Sequence, residues 1–308
     1  LITGSGHKPP YFVEKNLPFE ILSLKMPSLY LFPRSDMRIV SFLRDGQNRV
    51  GLRSGNQVAE VVDREIRSPL DLIAAGKVET GAVFPMETLH LLPPVPRPGK
   101  VICLGLNYSD HAKEGGNPIP DYPAIFFRGA TSLVAHGQPI LRPTCSDKLD
   151  YEAELAIVIG RRAKDVPEGD ALPHIAGYAC FNDGTLRDYQ RKSAQWTIGK
   201  NFDATGGFGP DLVTADELPP AAHGLRIVTR LNGRIMQDGN TANMIFSVPR
   251  TIAILSAAMT LEPGDVIITG TPAGVGYPRK PPVYMRAGDL CEVEIEGIGT
   301  LSNPIADA

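Results

Sequence analysis

The sequence predicts a mixed, β-rich α+β fold in which a small β-rich unit, residues 37–92, precedes a larger domain, residues 100–308. Three observations predict it. Apolar stretches are short and bounded by turn residues, and 31 glycines and 28 prolines in 308 residues imply many turns and short strands. Among the segments, 248–259, with Pro249 near its start, has the best helical pattern. Pro93-Pro94-Val95-Pro96-Arg97-Pro98-Gly99 is a proline-rich linker and marks the boundary between the two units.

Residues 1–36 contain Thr3-Gly4-Ser5-Gly6, several prolines and no periodicity, so a poorly packed extension or leader is expected there. Met37-Arg38-Ile39-Val40-Ser41-Phe42 reads as a first strand. Residues 40–43 and 50–52 around the Asp45-Gly46 turn suggest a hairpin with a longer connection. Pro69-Leu70-Asp71-Leu72-Ile73-Ala74-Ala75-Gly76 suits a short helix opened by proline and closed by glycine. Residues 100–105 form a buried strand and 107–114 a short helical segment. Gly115-Gly116-Asn117-Pro118 ends that segment, which suits a mobile lid. Further strands are expected at 124–127, 151–160 and 176–183, with a helical turn over 184–190. Asn232-Gly233 is a two-residue hairpin turn between 225–231 and 234–237, and 265–269 and 290–295 add two strands.

The composition is that of a soluble globular enzyme, 43% hydrophobic and 21% charged. A net charge of −3 argues against a general binder of nucleic acid or anionic membranes. No apolar run approaches the roughly 18 residues of a membrane span, and no signal-peptide pattern appears at the start. Cys103, Cys145, Cys180 and Cys291 are scattered and form no C-x-x-C, as expected of reduced, mostly buried thiols in a cytoplasmic protein.

Candidate chemistry gathers around Glu152-Ala153-Glu154. Alternation on a strand points both carboxylates one way. Such a pair is either a solvated strand face or two hard oxygen ligands for a divalent cation. Asp183, at the end of another strand, offers a third carboxylate. A set without Cys or His suits Mg²⁺, Mn²⁺ or Ca²⁺ rather than zinc, although Asp183-Gly184 alone is equally a turn. His111 and Glu114 share one side of a helical segment, as a general-base dyad or a surface ion pair. Arg187 and Gln190 follow Asp183 at +4 and +7, on one helical face. Arg187 and Lys200 could clamp a carboxylate or simply be solvated. The loop Gly270-Thr271-Pro272-Ala273-Gly274-Val275-Gly276 lacks both phosphate-loop and dinucleotide spacing. It could still present N–H groups and the Thr271 hydroxyl to an oxygen-rich ligand.

Taken together, these pieces resemble the fumarylacetoacetate hydrolase family from about Lys100 to Pro304, and more loosely from Met37. The resemblance rests on Asn107-Tyr108 with His111-x-x-Glu114, Asp150-Tyr151-Glu152-x-Glu154-Leu155, Phe181-Asn182-Asp183 and Arg187-Asp188-x-Gln190. It continues through Gly199-Lys200-Asn201-Phe202-Asp203, Leu261-x-Pro263-Gly264-Asp265 and Thr269-Gly270-Thr271-Pro272-x-Gly274-Val275-Gly276. It implies a rolled mixed β-sheet catalytic domain and, commonly, a homodimer. It also implies that Glu152, Glu154 and Asp183 ligate Mg²⁺ or Mn²⁺, with Ca²⁺ able to take their place, and that His111 and Glu114 form a lid dyad activating water. Arg187, Gln190, Lys200 and Thr271 then match positions that contact substrate or support the metal site. Arg128 stands where many relatives carry lysine and is expected near the substrate. The additional aspartate ligand of the fumarylacetoacetate-cleaving branch has no counterpart here, which argues against fumarylacetoacetate as the substrate.

The implied activity is metal-dependent hydrolysis of a C–C bond in an acylpyruvate or related 2,4-diketo acid. Lys200 or Gln190 would be the oxyanion donor and Lys200 a catalytic residue. Oxaloacetate-type decarboxylation and hydroxymuconate-type isomerisation are alternatives on the same site. A non-catalytic, metal-stabilised binding module is a remote one. The expected partner is a small keto acid, with no nucleic acid and no membrane.

Overall fold

A twelve-stranded mixed sheet carries the molecule. The computed structural model describes residues 37–114, 116 and 118–308; the leader expected over 1–36, and Gly115 and Asn117 of the expected lid, lie outside the described residues. The main path of the sheet runs Thr80–Pro85, Gln57–Val61, Gln47–Ser54, Arg38–Arg44, Gly206–Thr214, Ile175–Asp183, Ala153–Ile159, Val266–Ile268, Val101–Gly105, Ala124–Arg128. Hydrogen bonding therefore crosses the proline-rich linker: Arg38–Arg44 pairs antiparallel with Gly206–Thr214, and the N-terminal strands extend the sheet of the larger unit. A second sheet orders Arg234–Asn240, Arg226–Leu231, Leu290–Ile295, Gly299–Asp307 and Ile140–Arg142. This is the mixed-sheet architecture that the family resemblance implies, and it is as poor in long helices as the glycine and proline content implies.

Alternation explains the two cores. Leu155, Ile157 and Ile159 point to the face that packs against Ile227, Val293, Leu301 and the helix Val248–Ala258 through Ile252 and Leu255. Ala156 and Val158 point to the opposite face, among Ile39, Leu52, Phe181, Phe208 and Leu72. Both faces of Ala153–Ile159 are therefore covered, and all seven residues are buried. Register then places the chemistry. Glu154 lies opposite Phe181, and the Asp183 N–H donates to the Glu152 carbonyl at 2.8 Å. Opposed residues of an antiparallel pair share a face. Glu152, Glu154 and Asp183 consequently emerge on the same side, at one end of the sheet.

Several local signals hold. Ser68 caps Pro69–Ala75 in a reciprocal capping box with Asp71, and Gly76 closes the helix at φ 71°. Asn232 and Gly233 both have positive φ, 52° and 77°, as the tight turn requires. The first hairpin differs from expectation. Its connection is only Asp45-Gly46, both at positive φ, and Arg44 pairs directly with Gln47. Glu152 is not itself in a strand; regular pairing begins at Ala153. Gly206–Thr214, absent from the sequence-based elements, is a nine-residue strand in the middle of the sheet. No helix among the described residues is long and apolar enough to cross a membrane. The four cysteines are free, and Cys145 alone is exposed.

The strand crossing at Gly177 gives a test. A Cβ there would run into the Val213 carbonyl oxygen of the neighbouring strand. Gly177→Ala is expected to destabilise the protein by about 1–3 kcal/mol, the usual cost of overpacking, read as a lower urea midpoint. An unchanged midpoint would mean that the two strands do not pack as closely as described.

Candidate metal centre and active-site cavity

At the end of the large sheet lies a cavity of about 230 Å³, lined by Glu152, Glu154, Asp183, His111, Arg187 and Lys200 among others. Ligand oxygens of Glu152, Glu154 and Asp183 all lie within 4.8 Å of one another. Three carboxylates so close repel one another unless cations separate them. Lys200, itself only 2% exposed, supplies one: its Nζ lies 2.5 Å from Glu152 Oε2 and from Asp183 Oδ2, and 3.3 Å from the Asp183 carbonyl. Arg187 supplies a second, with Nη2 2.7 Å from Glu152 Oε1 and Nε donating to Asp150 Oδ2 at 2.7 Å. Arg128 is the third, donating through Nη1 to Asp183 Oδ1 at 2.5 Å.

Burial pushes the Glu152 carboxyl up, but Lys200 and Arg187 outweigh it and hold the group at about 2. Glu154 has no cation of its own among the described residues and accepts the Gly270 N–H at 2.5 Å. Burial raises its pKa well above the ordinary value, and repulsion from Asp183 and Glu152 raises it further. Four buried carboxylates, Asp150, Glu152, Glu154 and Asp183, thus face three buried cations, Arg128, Arg187 and Lys200. Glu154 is the unmatched charge. A buried carboxylate in that position either binds a proton or has a cation beside it. The all-oxygen donor set and the unmatched charge both fit a hard divalent cation held by these three side chains.

The cavity gathers most of the residues singled out in the sequence. His111 and Gln190 line it, and Thr271 is there with its hydroxyl donating to the Ala153 carbonyl at 2.8 Å. Gln190 Oε1 accepts from Arg187 Nη1 at 3.1 Å, which leaves its amide nitrogen free to donate. The lid helix Ser109–Glu114 brings His111 Nδ1 to 3.4 Å from Glu114 Oε2. Asn107 anchors the base of the lid, donating to the Phe246 and Thr269 carbonyls and accepting the Phe246 N–H.

Three expectations are corrected. Arg128 is not at the substrate face: its side chain is completely buried behind Asp183, where it also reaches Ser132, Gly184 and Thr205. Lys200 is not a free donor, because its three contacts account for all three ammonium protons. The glycine-rich loop does offer N–H groups to oxygen, but the oxygens are the protein's own. Gly270 donates to Glu154, Gly274 to both oxygens of Glu114 (3.0 and 3.1 Å), and Gly276 and Tyr277 to Asp150 (2.8 and 3.0 Å).

Two supporting residues were not singled out from sequence. Asp150 stood within a quoted motif, but only its contacts reveal it as the anchor of Arg187. Gln237, 1% exposed, accepts from the Ala153 N–H and the Thr229 hydroxyl and donates to Thr271 Oγ1 and the Pro272 carbonyl. It fixes the start of the ligand strand to the second sheet. A lone glutamine after an Asn-Gly turn carries no local signal of such a role.

Comparison with known proteins agrees with this fold. The family model described as fumarylacetoacetate (FAA) hydrolase C-terminal matches residues 100–306. A mitochondrial oxaloacetate tautomerase of Xenopus laevis is 38% identical over 303 residues, spanning 92% of this chain and 95% of that protein. A solved fumarylacetoacetate hydrolase from Exiguobacterium antarcticum superposes with a TM-score of 0.78 at 38% identity, covering 89% of this chain and 100% of the other. A 2-hydroxyhepta-2,4-diene-1,7-dioate isomerase from Mycobacterium marinum superposes at 0.73 with 34% identity, covering 88% and 99%.

Two measurements test the charge arrangement. Arg128→Met leaves the Asp183 carboxylate buried with one cation fewer, and is expected to cost about 3–5 kcal/mol of stability by chemical denaturation. The second concerns pH. Glu154 has a folded-state pKa above its unfolded value, so its favourable contribution is present at acid pH and lost as pH rises through the raised value. Metal-free protein should therefore show a falling Tm as pH rises above the ordinary carboxylate range, and Mg²⁺ should reverse that fall. Glu154→Gln should abolish both the fall and the Mg²⁺ effect; a Glu154→Gln protein still stabilised by Mg²⁺ as strongly as the parent would remove Glu154 from the ligand set.

Proposed function

This chain belongs to the fumarylacetoacetate hydrolase family, and on that premise we propose that it is a divalent-metal-dependent enol–keto tautomerase of 2-oxo acids of the oxaloacetate type. The observation that carries the reading is the division of labour in the cavity. Glu152, Asp183, Arg187 and Lys200 are locked in mutual ion pairs, whereas His111, on the helix Ser109–Glu114, makes none with them and pairs with Glu114. With Nδ1–H directed at Glu114, Nε2 is the basic nitrogen available to the cavity. Tautomerisation needs one such group: it takes the proton from C3 of the keto form and delivers it to the enolate oxygen, and in the reverse direction it takes the enol O–H proton and delivers it to C3.

A hard divalent ion such as Mg²⁺ or Mn²⁺, held by Glu152, Glu154 and Asp183, would act as a Lewis acid and neutralise charge developing on the 2-oxo oxygen. Gln190 Nε2 is oriented by the Arg187 contact and can donate to the substrate carboxylate. Glu114 keeps the imidazole in one tautomer and is itself fixed by the Gly274 N–H. The Xenopus laevis and Mycobacterium marinum relatives, a tautomerase and an isomerase, support proton transfer between carbon and oxygen as the common chemistry.

C–C hydrolysis is the second reading, because the same dyad can activate water. It also needs a donor for a tetrahedral oxyanion, and with Lys200 committed to carboxylates that donor would be Gln190. Decarboxylation of oxaloacetate shares the enolate but does not call on His111.

His111→Ala is expected to lower kcat for enol-to-keto conversion of oxaloacetate by roughly 10²–10⁴-fold, followed by loss of the enol absorbance, while calorimetric Mg²⁺ binding stays at the parental value. Undiminished turnover would exclude the dyad from the reaction. Release of pyruvate from an acylpyruvate at a higher kcat/KM than oxaloacetate tautomerisation would place hydrolysis first.

A further inference from the structure

One cationic residue of the cavity has no carboxylate partner among the described residues. Arg191 directly follows Gln190 at the end of the short helix Arg187–Gln190, is exposed, and lines the same cavity as the acidic cluster. Its guanidinium carbon sits 4.6 Å from the centre of the Tyr277 ring, and Arg187 lies at the same distance from that ring. Tyr277 is in turn held by its backbone N–H to Asp150. Arg191 is thus braced by an aromatic face that leaves the edge of its guanidinium fork available, an arrangement suited to a bidentate carboxylate.

Charge balance shows what that carboxylate belongs to. The four buried acids and three buried cations leave one negative charge at the cavity floor. A divalent cation turns this into one positive charge, enough to match a single substrate carboxylate. Arg191 adds a second positive charge on the cavity wall. We propose that Arg191, braced on Tyr277, is a specificity residue that binds the second carboxylate of a dianionic 2-oxo acid, and that this separates such substrates from monocarboxylate acylpyruvates. The inference rests on the metal-dependent 2-oxo acid reading above and identifies the substrate class within it. Oxaloacetate and the 1,7-dioate, named for the tautomerase and isomerase relatives, are both acids with two carboxylates.

The test is binding, by isothermal titration calorimetry on the Mg²⁺-loaded full chain, with two keto acids: the dianion 2-oxoglutarate and the monoanion 2-oxobutyrate. The parent protein should bind the dianion more tightly. Arg191→Gln should weaken the dianion by roughly tenfold or more, the scale of one charge-assisted hydrogen-bonded contact, and leave the monoanion unchanged. Arg191→Lys should recover only part of the difference, because an ammonium keeps the charge without the fork or the stacking. Equal losses for both ligands, or no loss for either, would overturn the role of Arg191 while leaving the keto-acid site intact. Failure of the parent protein to bind either ligand would overturn that site and, with it, this inference.

Discussion

The structure depends on one constraint: carboxylates buried side by side must be separated by positive charge. Glu152 and Asp183 meet because two antiparallel strands bring their ends together, and the same pairing would drive them apart electrostatically if nothing stood between them. Lys200 stands between them, with Arg187 on one flank and Arg128 on the other. Each cation comes from a different segment. Arg128 ends the edge strand, Arg187 opens a one-turn helix, and Lys200 closes a 3-10 turn at Trp196–Lys200. Order in the sheet and order in these connections are therefore the same event, since a missing cation leaves a buried charge that neither water nor a neighbour can compensate.

The arrangement is matched in all but one place, and the exception is informative. Buried ion pairs contribute little to net stability compared with apolar residues of the same volume, so seven charged side chains at the end of a sheet are a poor way to build a core. Such a cluster is better understood as a preorganised site. Its dipoles and charges are fixed before any ligand arrives, and Glu154 is left with a backbone N–H alone. Locking Lys200 and Arg187 to the carboxylates also limits what they can do. They set the potential of the cavity and orient its acids, and His111 stays outside their ion-pair network.

Much of this was legible in the sequence where local rules govern. The capped helix at Pro69–Ala75, the Asn232-Gly233 hairpin and the helix Val248–Ala258 follow from the chemistry of a few adjacent residues. Gly206–Thr214 was not legible, because Gly206, Gly207, Gly209 and Pro210 argue against a central strand. The structure supplies the reason for two of these glycines: a Cβ at Gly206 would crowd the Arg128 guanidinium, and one at Gly207 the Asn303 side chain. Those neighbours come from distant segments, so no local pattern announces them. The acidic cluster could be anticipated as a set of residue types, whereas the position of Arg128 behind Asp183 depends on which side of the carboxylate the edge strand passes. Alternation within one strand does not contain that information.

The glycine-rich loop shows how the parts act together. Within eight residues its N–H groups hold a candidate metal ligand, Glu154, the lid carboxylate, Glu114, and the anchor of Arg187, Asp150. Successive N–H groups in a tight loop form an anion-binding concavity, and here three of the protein's own carboxylates fill it. Glycine is required at Gly274, where φ is 105° and a Cβ would strike the Met236 carbonyl oxygen. Glu114 reaches the loop from the short helix Ser109–Glu114. This one carboxylate therefore makes two contacts. It accepts the Gly274 N–H, and it lies 3.4 Å from Nδ1 of His111, which lines the cavity. A substrate that fills the cavity and excludes water strengthens both contacts, since a hydrogen bond to a carboxylate gains as the local dielectric falls. His111 is thereby tied, through Glu114, to the same loop that steadies the acidic cluster.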